Sequence, residues 1–365
     1  MTAVVAVIGG GIAGCATAAF LAEAGAAVTL YERETIAAGA SGRNSGVVQH
    51  PMDPVLEPLH EESLELYAGL GHGFAFPAEP AGLLVVAEDR ALLTAGLGAA
   101  RARFPALAPE WLEGAALHAA EPSLAADLCA VRLATGRPVP PAAATRAWAD
   151  RARAAGARIV EGEPAGLARR DGRAAGVRAG GRLHPAGAVV VAAGPWTAAA
   201  VGARPEWRPV VALWGVVAQV RLPAPPRHTV EQAGVESLTE PGGGPASLFS
   251  VVTADGMSAV GSTFTPDEPD AAAIAPQLLE RGTRYLPALR GAAIESVRAC
   301  ARPLSADGRP LLGPAEGVEG LHLVTGHGPW GISLGPGSAR LVADGVMGAP
   351  VRIPPELAAA RFGAP

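Results

Sequence analysis

The chain has 365 residues and a formal net charge of −5, from 29 basic and 34 acidic side chains, so its length suits one large or two ordinary domains. An apolar share of 49% is enough for a buried core and excludes a generally disordered chain. No basic run is present, which argues against nucleic acid as a partner, and the absence of lysine excludes Schiff-base chemistry, pyridoxal phosphate attachment and a P-loop.

The first segment predicts a buried strand, a tight turn and a helix. Val4–Ile8 is a short apolar run typical of a parallel strand that is covered on both faces. Residues 9–14 follow with the pattern G-x-G-x-x-G, and a helical pattern continues to Gly25. A second strand over 28–31 ends at Glu32. This order of elements predicts a dinucleotide-binding unit.

Each part of that unit has a physical role in binding a dinucleotide. Gly9 permits the turn, Gly11 lets the backbone approach the pyrophosphate, and Gly14 allows the helix to pack closely on the strand. The helix N-terminus offers free N–H groups to phosphate charge, and Glu32 can accept hydrogen bonds from ribose hydroxyls. We predict cofactor contacts here at Gly9, Gly11, Ile12, Ala13, Gly14, Glu32 and Arg33.

A second glycine-rich segment, residues 39–46, is predicted as a loop. An NAD-binding fold normally continues into a helix at this point, whereas hydroxyl and amide side chains suit a larger cofactor that lies along the sheet edge. A surface loop without a ligand has a similar composition. We predict cofactor contacts at Ser41, Arg43, Asn44, Ser45 and Gly46.

The middle of the chain returns to alternating helices and strands. A helix is predicted over 142–155 and strands over 158–160 and 189–192, and the dipeptide Asp171-Gly172 between them favours a hairpin turn. From Pro209 to Thr263 the alternation of apolar residues indicates an antiparallel sheet, interrupted by a glycine- and proline-rich loop at 241–245. The tail predicts a strand over 321–324 and a helix that begins near Pro336 and ends at about Met347.

Three stretches of this sequence resemble a known family of proteins. Together they are similar to D-amino-acid oxidase-like flavoproteins. The first stretch is V-I-G-G-G-I-A-G-C with Y-E-R and G-A-S-G-R-N-S-G, and the second is the strand and turn Val189–Trp196. The third is Arg302-Pro303 with residues 307–310 and 326–332. The glycine oxidase, sarcosine oxidase and D-amino-acid dehydrogenase branch is the most similar. The resemblance implies FAD as the cofactor, and we predict that it is held without a covalent bond.

The expected fold class is therefore α/β (α+β). A Rossmann-like FAD-binding domain is expected to be assembled from three segments, 1–75, 137–204 and 301–365. A second, substrate-binding domain, built on an antiparallel sheet, is expected from 76–136 and 205–300. By the same resemblance, further FAD contacts are expected at Pro164, Ala193, Gly194, Trp196, Gly326, Gly328, Trp330, Gly331 and Ile332.

The resemblance also implies the catalytic residues. An arginine placed like Arg302 grips the substrate carboxylate in this family, and an arginine fork suits a carboxylate bidentately. His327 could act in acid–base chemistry or bond locally, and Trp330 could wall the substrate pocket or belong to the core. The implied reaction is hydride transfer from the carbon that bears the amine of an amino acid or secondary amine to flavin N5, giving an imine that hydrolyses.

Two other functions share these features. A flavin-dependent 2-hydroxy-acid oxidoreductase would use the same carboxylate clamp, and a non-catalytic flavin subunit of a larger complex would bind the same cofactor. The electron acceptor is either dioxygen or a quinone or other carrier, since the lysine with which sarcosine oxidases activate oxygen has no counterpart among Ser258–Gly261.

The cysteines favour a reducing, cytoplasmic setting. Cys15, Cys129 and Cys300 are odd in number and form no CxxC pair, so neither a disulfide framework nor a metal site is expected. Cys300 stands near the position at which sarcosine oxidases carry a flavin-bonded cysteine, but we expect an inert buried thiol. The uncharged run 3–22 carries three consecutive glycines and is not expected to span a membrane.

Overall fold

The computed structural model describes residues 2–239 and 243–365. Its helices are α1 (Ile12–Glu23), α2 (Ala40–Arg43), α3 (Glu57–Ala68), α4 (Arg90–Arg103), α5 (Gly114–Ala120), α6 (Pro141–Ala154), α7 (Thr197–Ala200), α8 (Ala271–Gly282) and α9 (Gly331–Val346). Its strands are β1 (Val4–Ile8), β2 (Ala27–Tyr31), β3 (Val47–Val48), β4 (Leu83–Ala87), β5 (Glu110–Glu113), β6 (Cys129–Leu133), β7 (Arg137–Pro138), β8 (Arg158–Val160), β9 (Ala165–Arg170), β10 (Arg173–Ala179), β11 (Arg182–Pro185), β12 (Ala188–Val191), β13 (Val210–Val220), β14 (Thr229–Gln232), β15 (Glu236–Thr239), β16 (Gly243–Ala254), β17 (Met257–Phe264), β18 (Ile294–Ser305), β19 (Leu311–Pro314) and β20 (Leu321–Thr325).

A six-stranded sheet forms the first layer, with the strand order β19-β20-β12-β1-β2-β8. Its pairs are parallel except for β19 and β20. Residues 5–8 of β1 are buried, as the apolar run predicts for a strand covered on both faces. Helix α1 packs against this sheet and against α6 and α9, so nearly every residue of α1 is buried. The mixed α/β class expected from the sequence is confirmed.

A nine-stranded sheet forms the second layer, in the order β18-β13-β17-β16-β14-β4-β6-β5, with β15 paired to β16. Its pairs are antiparallel with one exception, since β14 runs parallel to β4. The antiparallel pairing expected within 209–263 is confirmed. The parallel pair joins this segment to β4, which reaches the sheet from a distant part of the chain that carries no local signal of its direction. Apolar residues of β13, β14, β16 and β17 pack under α8 on the outer face.

Three further sequence predictions concern a hairpin, a loop and a domain boundary. The hairpin at Asp171-Gly172 is confirmed, because β9 and β10 pair antiparallel across two residues at positive φ (51° and 74°). The predicted loop at 241–245 begins at residues outside the described ranges, and from Gly243 on it is strand rather than loop. The domain boundary expected at residue 300 falls inside β18, which pairs within the second sheet over its whole length. The division into two domains stays a prediction.

Helix α9 begins five residues earlier than the sequence predicts. Pro336 lies inside the helix instead of in its first turn. A proline there has no N–H to donate to the carbonyl of Ile332, four residues before it. The buried hydroxyl of Tyr67 donates to that carbonyl at 2.7 Å instead. A partner from α3 therefore satisfies the carbonyl and permits the proline, which is a long-range contact that the local pattern does not reveal.

The segment 39–46 is also partly helical, although the sequence predicts a loop. Its central residues form α2, and Asn44 ends the helix. The Asn44 side chain donates to the carbonyls of Ala40 and Ser41 at 2.9 and 3.0 Å and accepts from the N–H of Gly46 at 2.8 Å. Asparagine is favoured at such a helix end because its side chain replaces missing backbone partners.

Candidate active site

A cavity of about 370 Å³, partly open to solvent, begins at the carboxyl ends of β1, β2 and β12. Ile8, Tyr31 and Ala192 line it at these strand ends. The crevice outside the carboxyl ends of parallel strands is where open α/β sheets bind ligands. The cavity then continues to β18 of the second sheet, so the two layers share its wall.

The glycine turn after β1 has the geometry of a phosphate-binding turn. Gly9 has a φ of +113°, which side chains other than hydrogen rarely allow. A Cβ at Gly14 would meet the carbonyl of Gly9, so close packing of helix on strand requires this glycine. Gly11 faces the cavity, where a Cβ would lie 3.0 Å from Ser41 Oγ and otherwise meet open space. Backbone and helix N-terminus are therefore accessible to an anionic ligand.

Glu32 lies in the cavity wall at the end of β2. Its carboxylate accepts hydrogen bonds from the N–H groups of Gly10, at 2.6 Å, and Glu34, at 2.9 Å. These two bonds fix the carboxylate beside the glycine turn. Each oxygen retains a lone pair, and a ribose hydroxyl is the donor that a dinucleotide would supply.

The wall beyond Glu32 is formed by side chains that stack on each other. The guanidinium of Arg33 lies 3.6 Å from the ring centroid of Trp196, a cation–π arrangement. Pro164 and Ala193 complete this end of the cavity. On the opposite side Ser41 Oγ accepts from the N–H of Ile12 at 3.0 Å, which joins α2 to the first turn of α1.

Arg302 lies at the other end of the cavity, on β18. Its Nη1 donates to the carbonyl of Thr263 at 3.0 Å, and its Nη2 makes a short hydrogen bond to Ser262 Oγ. The guanidinium carbon is 4.9 Å from the ring centroid of Phe264. Burial lowers the pKa of this guanidinium from its usual value, although an arginine stays protonated at any physiological pH.

The charge of Arg302 has no counter-ion among residues 2–239 and 243–365. Its two named acceptors are neutral oxygens, and the only titratable group that acts on it is the Cys300 thiol. A buried cation without an anion is unusual in proteins, because desolvation is then uncompensated. Three of its five N–H donors remain for a ligand in the cavity.

Cys300 lies two residues away in the same wall. Burial raises the pKa of its thiol, and the nearby guanidinium groups of Arg302, Arg298 and Arg43 only partly oppose that shift. The thiol is free, as are those of Cys15 and Cys129. A protonated thiol is a poor nucleophile, which fits the inert role expected from the sequence.

His327 and Trp330 are placed differently from each other. His327 lines the cavity, but its Nε2 lies 3.0 Å from Ser338 Oγ, and burial lowers its pKa to about 4, so the ring is neutral near pH 7. Trp330 packs against the core around α1 and α9 and does not line the cavity. Of the two roles weighed for each residue, the contacts favour a locally bonded histidine and a core tryptophan.

The cavity brings together most of the residues that the sequence singles out. The lining residues are Gly9, Gly11, Ile12, Ala13, Glu32, Arg33, Ser41, Asn44, Pro164, Ala193, Gly194, Trp196, Arg302, His327, Gly328, Gly331 and Ile332. The remaining ones support the wall from behind or flank it: Gly14, Arg43, Ser45, Gly46, Gly326 and Trp330. Gly46 and Gly326 adopt positive φ of 85° and 79°, so their role in the fold is conformational.

Sequence reasoning missed the residues that hold Arg302. Gly215 on β13 lies directly under the guanidinium, where a Cβ would overlap it, and Ser262 and Thr263 come from β17. These residues meet only through strand pairing, which the local pattern does not specify. Gln49 and Glu231, whose side chains are joined by a hydrogen bond of 3.1 Å between distant segments, were missed for the same reason.

The described residues contain no helix long and apolar enough to cross a bilayer. Nor do they contain a cluster of three histidine, cysteine or acidic side chains that could hold a metal ion.

Comparisons with known proteins agree with this geometry. A family model described as FAD dependent oxidoreductase matches residues 5–345. Glycine oxidase of Geobacillus kaustophilus is 29% identical over 363 residues, which cover 93% of this chain and 92% of that protein. A match to the tRNA 5-methylaminomethyl-2-thiouridine biosynthesis bifunctional protein MnmC of Nitrosospira multiformis is 45% identical but spans only 19% of this chain and 11% of that longer protein.

Solved structures extend the likeness to the whole fold. The crystal structure of glycine oxidase from Geobacillus kaustophilus superposes with a TM-score of 0.85 over 99% of both chains, at 26% identity. Iminodiacetate oxidase from a Chelativorans strain gives a TM-score of 0.83 over 97% of this chain and 98% of that one, also at 26% identity.

Proposed function

This chain belongs to the family of FAD-dependent oxidoreductases, and from that premise we propose that it oxidises the C–N bond of an amino acid whose carboxylate pairs with Arg302. The observation that carries the proposal is the buried guanidinium of Arg302, which faces the cavity without a counter-ion among the described residues. A substrate carboxylate is the anion that this fork fits bidentately.

The residues present fit FAD. Gly11 leaves the backbone open to the pyrophosphate, the N-terminus of α1 favours its charge, and Glu32 faces the cavity with free lone pairs. When bound, FAD supplies a two-electron acceptor for the hydrogen removed from the substrate. We propose that it is held noncovalently, because burial keeps the Cys300 thiol protonated.

The chain's own residues then act by positioning. Arg302 fixes the carboxylate and hence the carbon that bears the amine. Phe264 and the strand backbone around Thr263 keep water from the far side of the guanidinium. The substrate must present a neutral amine and loses a hydride from the adjacent carbon, which leaves an iminium ion. The iminium ion releases a proton to water to give the imine, and water hydrolyses it. No buried base is needed, which agrees with a locally bonded, neutral His327.

Substitution of Arg302 tests the proposal. Arg302→Leu should keep the flavin spectrum and lose reduction by a carboxylate substrate at least about 100-fold, since a charge-assisted pair is broken. Arg302→Lys should restore little, because a point charge cannot supply two parallel donors. The measurement is anaerobic flavin reduction in a stopped-flow instrument. Decarboxylated amines serve as the control and should react about equally with the wild type and the leucine variant.

A different result would contradict the proposal. If amino acids reduced the flavin of Arg302→Leu at an unchanged rate and at full flavin occupancy, Arg302 would not bind the substrate carboxylate. Simple amines would then be favoured as substrates. The electron acceptor stays a proposal between dioxygen and a quinone or other carrier. The cytoplasmic location also stays a prediction, drawn from the three unpaired thiols.

A further inference from the structure

A second ionisable group without a counter-ion lies on the same face of the nine-stranded sheet as Arg302. Glu231 on β14 pairs with Ser250 on β16, and Ser250 pairs with Gly261 on β17. The same row of paired residues continues across the sheet through Val217 on β13 to Arg298 on β18. Residues in register across a sheet present their side chains to one face, and every second residue along a strand does the same. Glu231, Arg298 and Arg302 therefore all belong to the inner face.

This face looks toward the cofactor-binding layer. A Cβ at Gly261 would lie 3.6 Å from Ser45 Oγ, so the row that contains Glu231 runs under the segment that follows α2. The opposite face of the sheet is occupied by the apolar core around Val230, Val251 and Val260. Glu231 thus points away from that core and toward the cofactor-binding layer, from which Gln49 reaches it.

The contacts of Glu231 leave it short of donors. Gln49 Nε2 donates to Glu231 Oε1 at 3.1 Å, and Gln49 is itself anchored by its N–H to Ser333 Oγ at 3.0 Å. Gln49 Oε1 is buried without a partner. Burial raises the pKa of the Glu231 carboxyl, and no cation among the described residues pairs with it. Gln49 Oε1 and the second oxygen of the Glu231 carboxyl therefore each lack a donor among the described residues.

Glu231 and Arg302 cannot neutralise each other. The guanidinium of Arg302 is bonded to Ser262 and Thr263 on β17, and β16 separates that strand from β14. Two strand spacings amount to about 10 Å, well beyond the reach of an ion pair. In an extended amino acid with a long side chain, the carboxylate and a terminal nitrogen lie about 6–8 Å apart. Such a molecule spans the gap with one hydrogen bond at each end.

We propose that the active site selects an amino acid whose side chain ends in a cationic amine or guanidinium, with its α-carboxylate on Arg302 and its side-chain cation against Glu231 and Gln49. This inference rests on the proposed function. It gives the Arg302 guanidinium an anionic partner and the Glu231 carboxyl a cationic one.

The chemistry assigns Glu231 to the side chain rather than to the reacting amine. A carboxylate beside the reacting amine would favour its ammonium form, and oxidation requires the neutral amine. The separation of two strands likewise places Glu231 beyond an amine that is bonded to the carbon next to the carboxylate. A substrate with an acidic side chain would bring a second anion against Glu231 and be rejected.

The test compares lysine with norleucine, its analogue without the terminal amine, each as both enantiomers. The readout is the rate of anaerobic flavin reduction over a range of substrate concentrations. In the wild type the preferred enantiomer of lysine should exceed that of norleucine at least about tenfold in efficiency. Glu231→Gln keeps the hydrogen bond to Gln49 but lacks the charge, so it should lower the efficiency with lysine by about that factor and leave norleucine unchanged.

Controls separate this inference from the proposed function. Glu295→Gln removes one exposed carboxylate from β18 and should change neither substrate. Unaltered flavin content and norleucine reduction in Glu231→Gln report that the variant is folded. Equal efficiency of lysine and norleucine in the wild type, or an equal loss of both in Glu231→Gln, would overturn the inference and leave the proposed function standing. Failure of every amino acid to reduce the wild-type flavin would overturn the proposed function as well.

Discussion

Gly215 determines where the guanidinium of Arg302 lies. Strand pairing sets Gly215 opposite Cys300, and the arginine side chain crosses β13 at this glycine to reach Ser262 and Thr263. A Cβ at Gly215 would occupy the position of the guanidinium itself. A residue with no catalytic group thus controls the geometry of the arginine that we propose binds the carboxylate.

We predict that Gly215→Ala lowers the efficiency of flavin reduction by an amino acid at least tenfold, because a displaced fork no longer presents two parallel donors. Flavin content should not change, since Gly215 does not line the cavity. Gly96→Ala is the matched control, because a Cβ there meets open space and should affect neither quantity. Full activity in Gly215→Ala would show that Arg302 does not act from the observed position.

Residues of the glycine turn could be predicted from the sequence, whereas residues around Arg302 could not. Gly9, Gly11 and Glu32 could be predicted because their roles follow from one contiguous strand, turn and helix. Arg302 came only from the resemblance to a family. Gly215 and Glu231 could not be found, because their importance depends on the register of strands that lie far apart in the chain.

At the scale of elements, the start of α9 depends on one contact from α3. Tyr67 replaces the hydrogen bond that Pro336 cannot make to Ile332. The local sequence pattern therefore predicted the preceding strand β20 correctly but placed the start of α9 at the proline. The same limit applies to β14 and β4, whose parallel pairing joins distant segments.

We predict that Tyr67→Phe lowers the free energy of unfolding by about 1–3 kcal/mol, because a buried carbonyl loses its donor. Pro336→Ala restores a backbone N–H at the position that serves Ile332, so Tyr67→Phe should cost less in that background. Chemical denaturation of the wild type, the two single variants and the double variant measures the cost of Tyr67→Phe in each background. Tyr285→Phe is the matched control: this tyrosine is also buried, but its hydroxyl makes no hydrogen bond among the described residues, so the substitution should cost less than Tyr67→Phe. Equal costs of Tyr67→Phe in both backgrounds would contradict the account.

At the scale of the whole molecule, one cavity joins two sheets of different construction. The parallel sheet contributes the glycine turn and Glu32, and the second sheet contributes Arg302 through β18. The parallel layer was predictable from its apolar runs. The second layer was predictable only as a class, since much of its sequence carries little local pattern.

We predict that the flavin dissociates when the protein is denatured. Burial holds the Cys300 thiol in its protonated form, which does not favour a bond to the cofactor. After acid precipitation the yellow colour should remain in the supernatant, for the wild type and for Cys300→Ser alike. Colour that stays in the wild-type pellet and is absent from the Cys300→Ser pellet would reverse this prediction.

The central claim is that the chain oxidises an amino acid with FAD in this cavity. The most direct measurement is anaerobic mixing of the purified yellow protein with D- and L-amino acids, simple amines and 2-hydroxy acids, followed by the flavin absorbance. The account predicts that at least one amino acid bleaches the flavin, while the decarboxylated amine and the corresponding hydroxy acid do not. Bleaching by a hydroxy acid alone, or a protein that purifies without flavin, would contradict it.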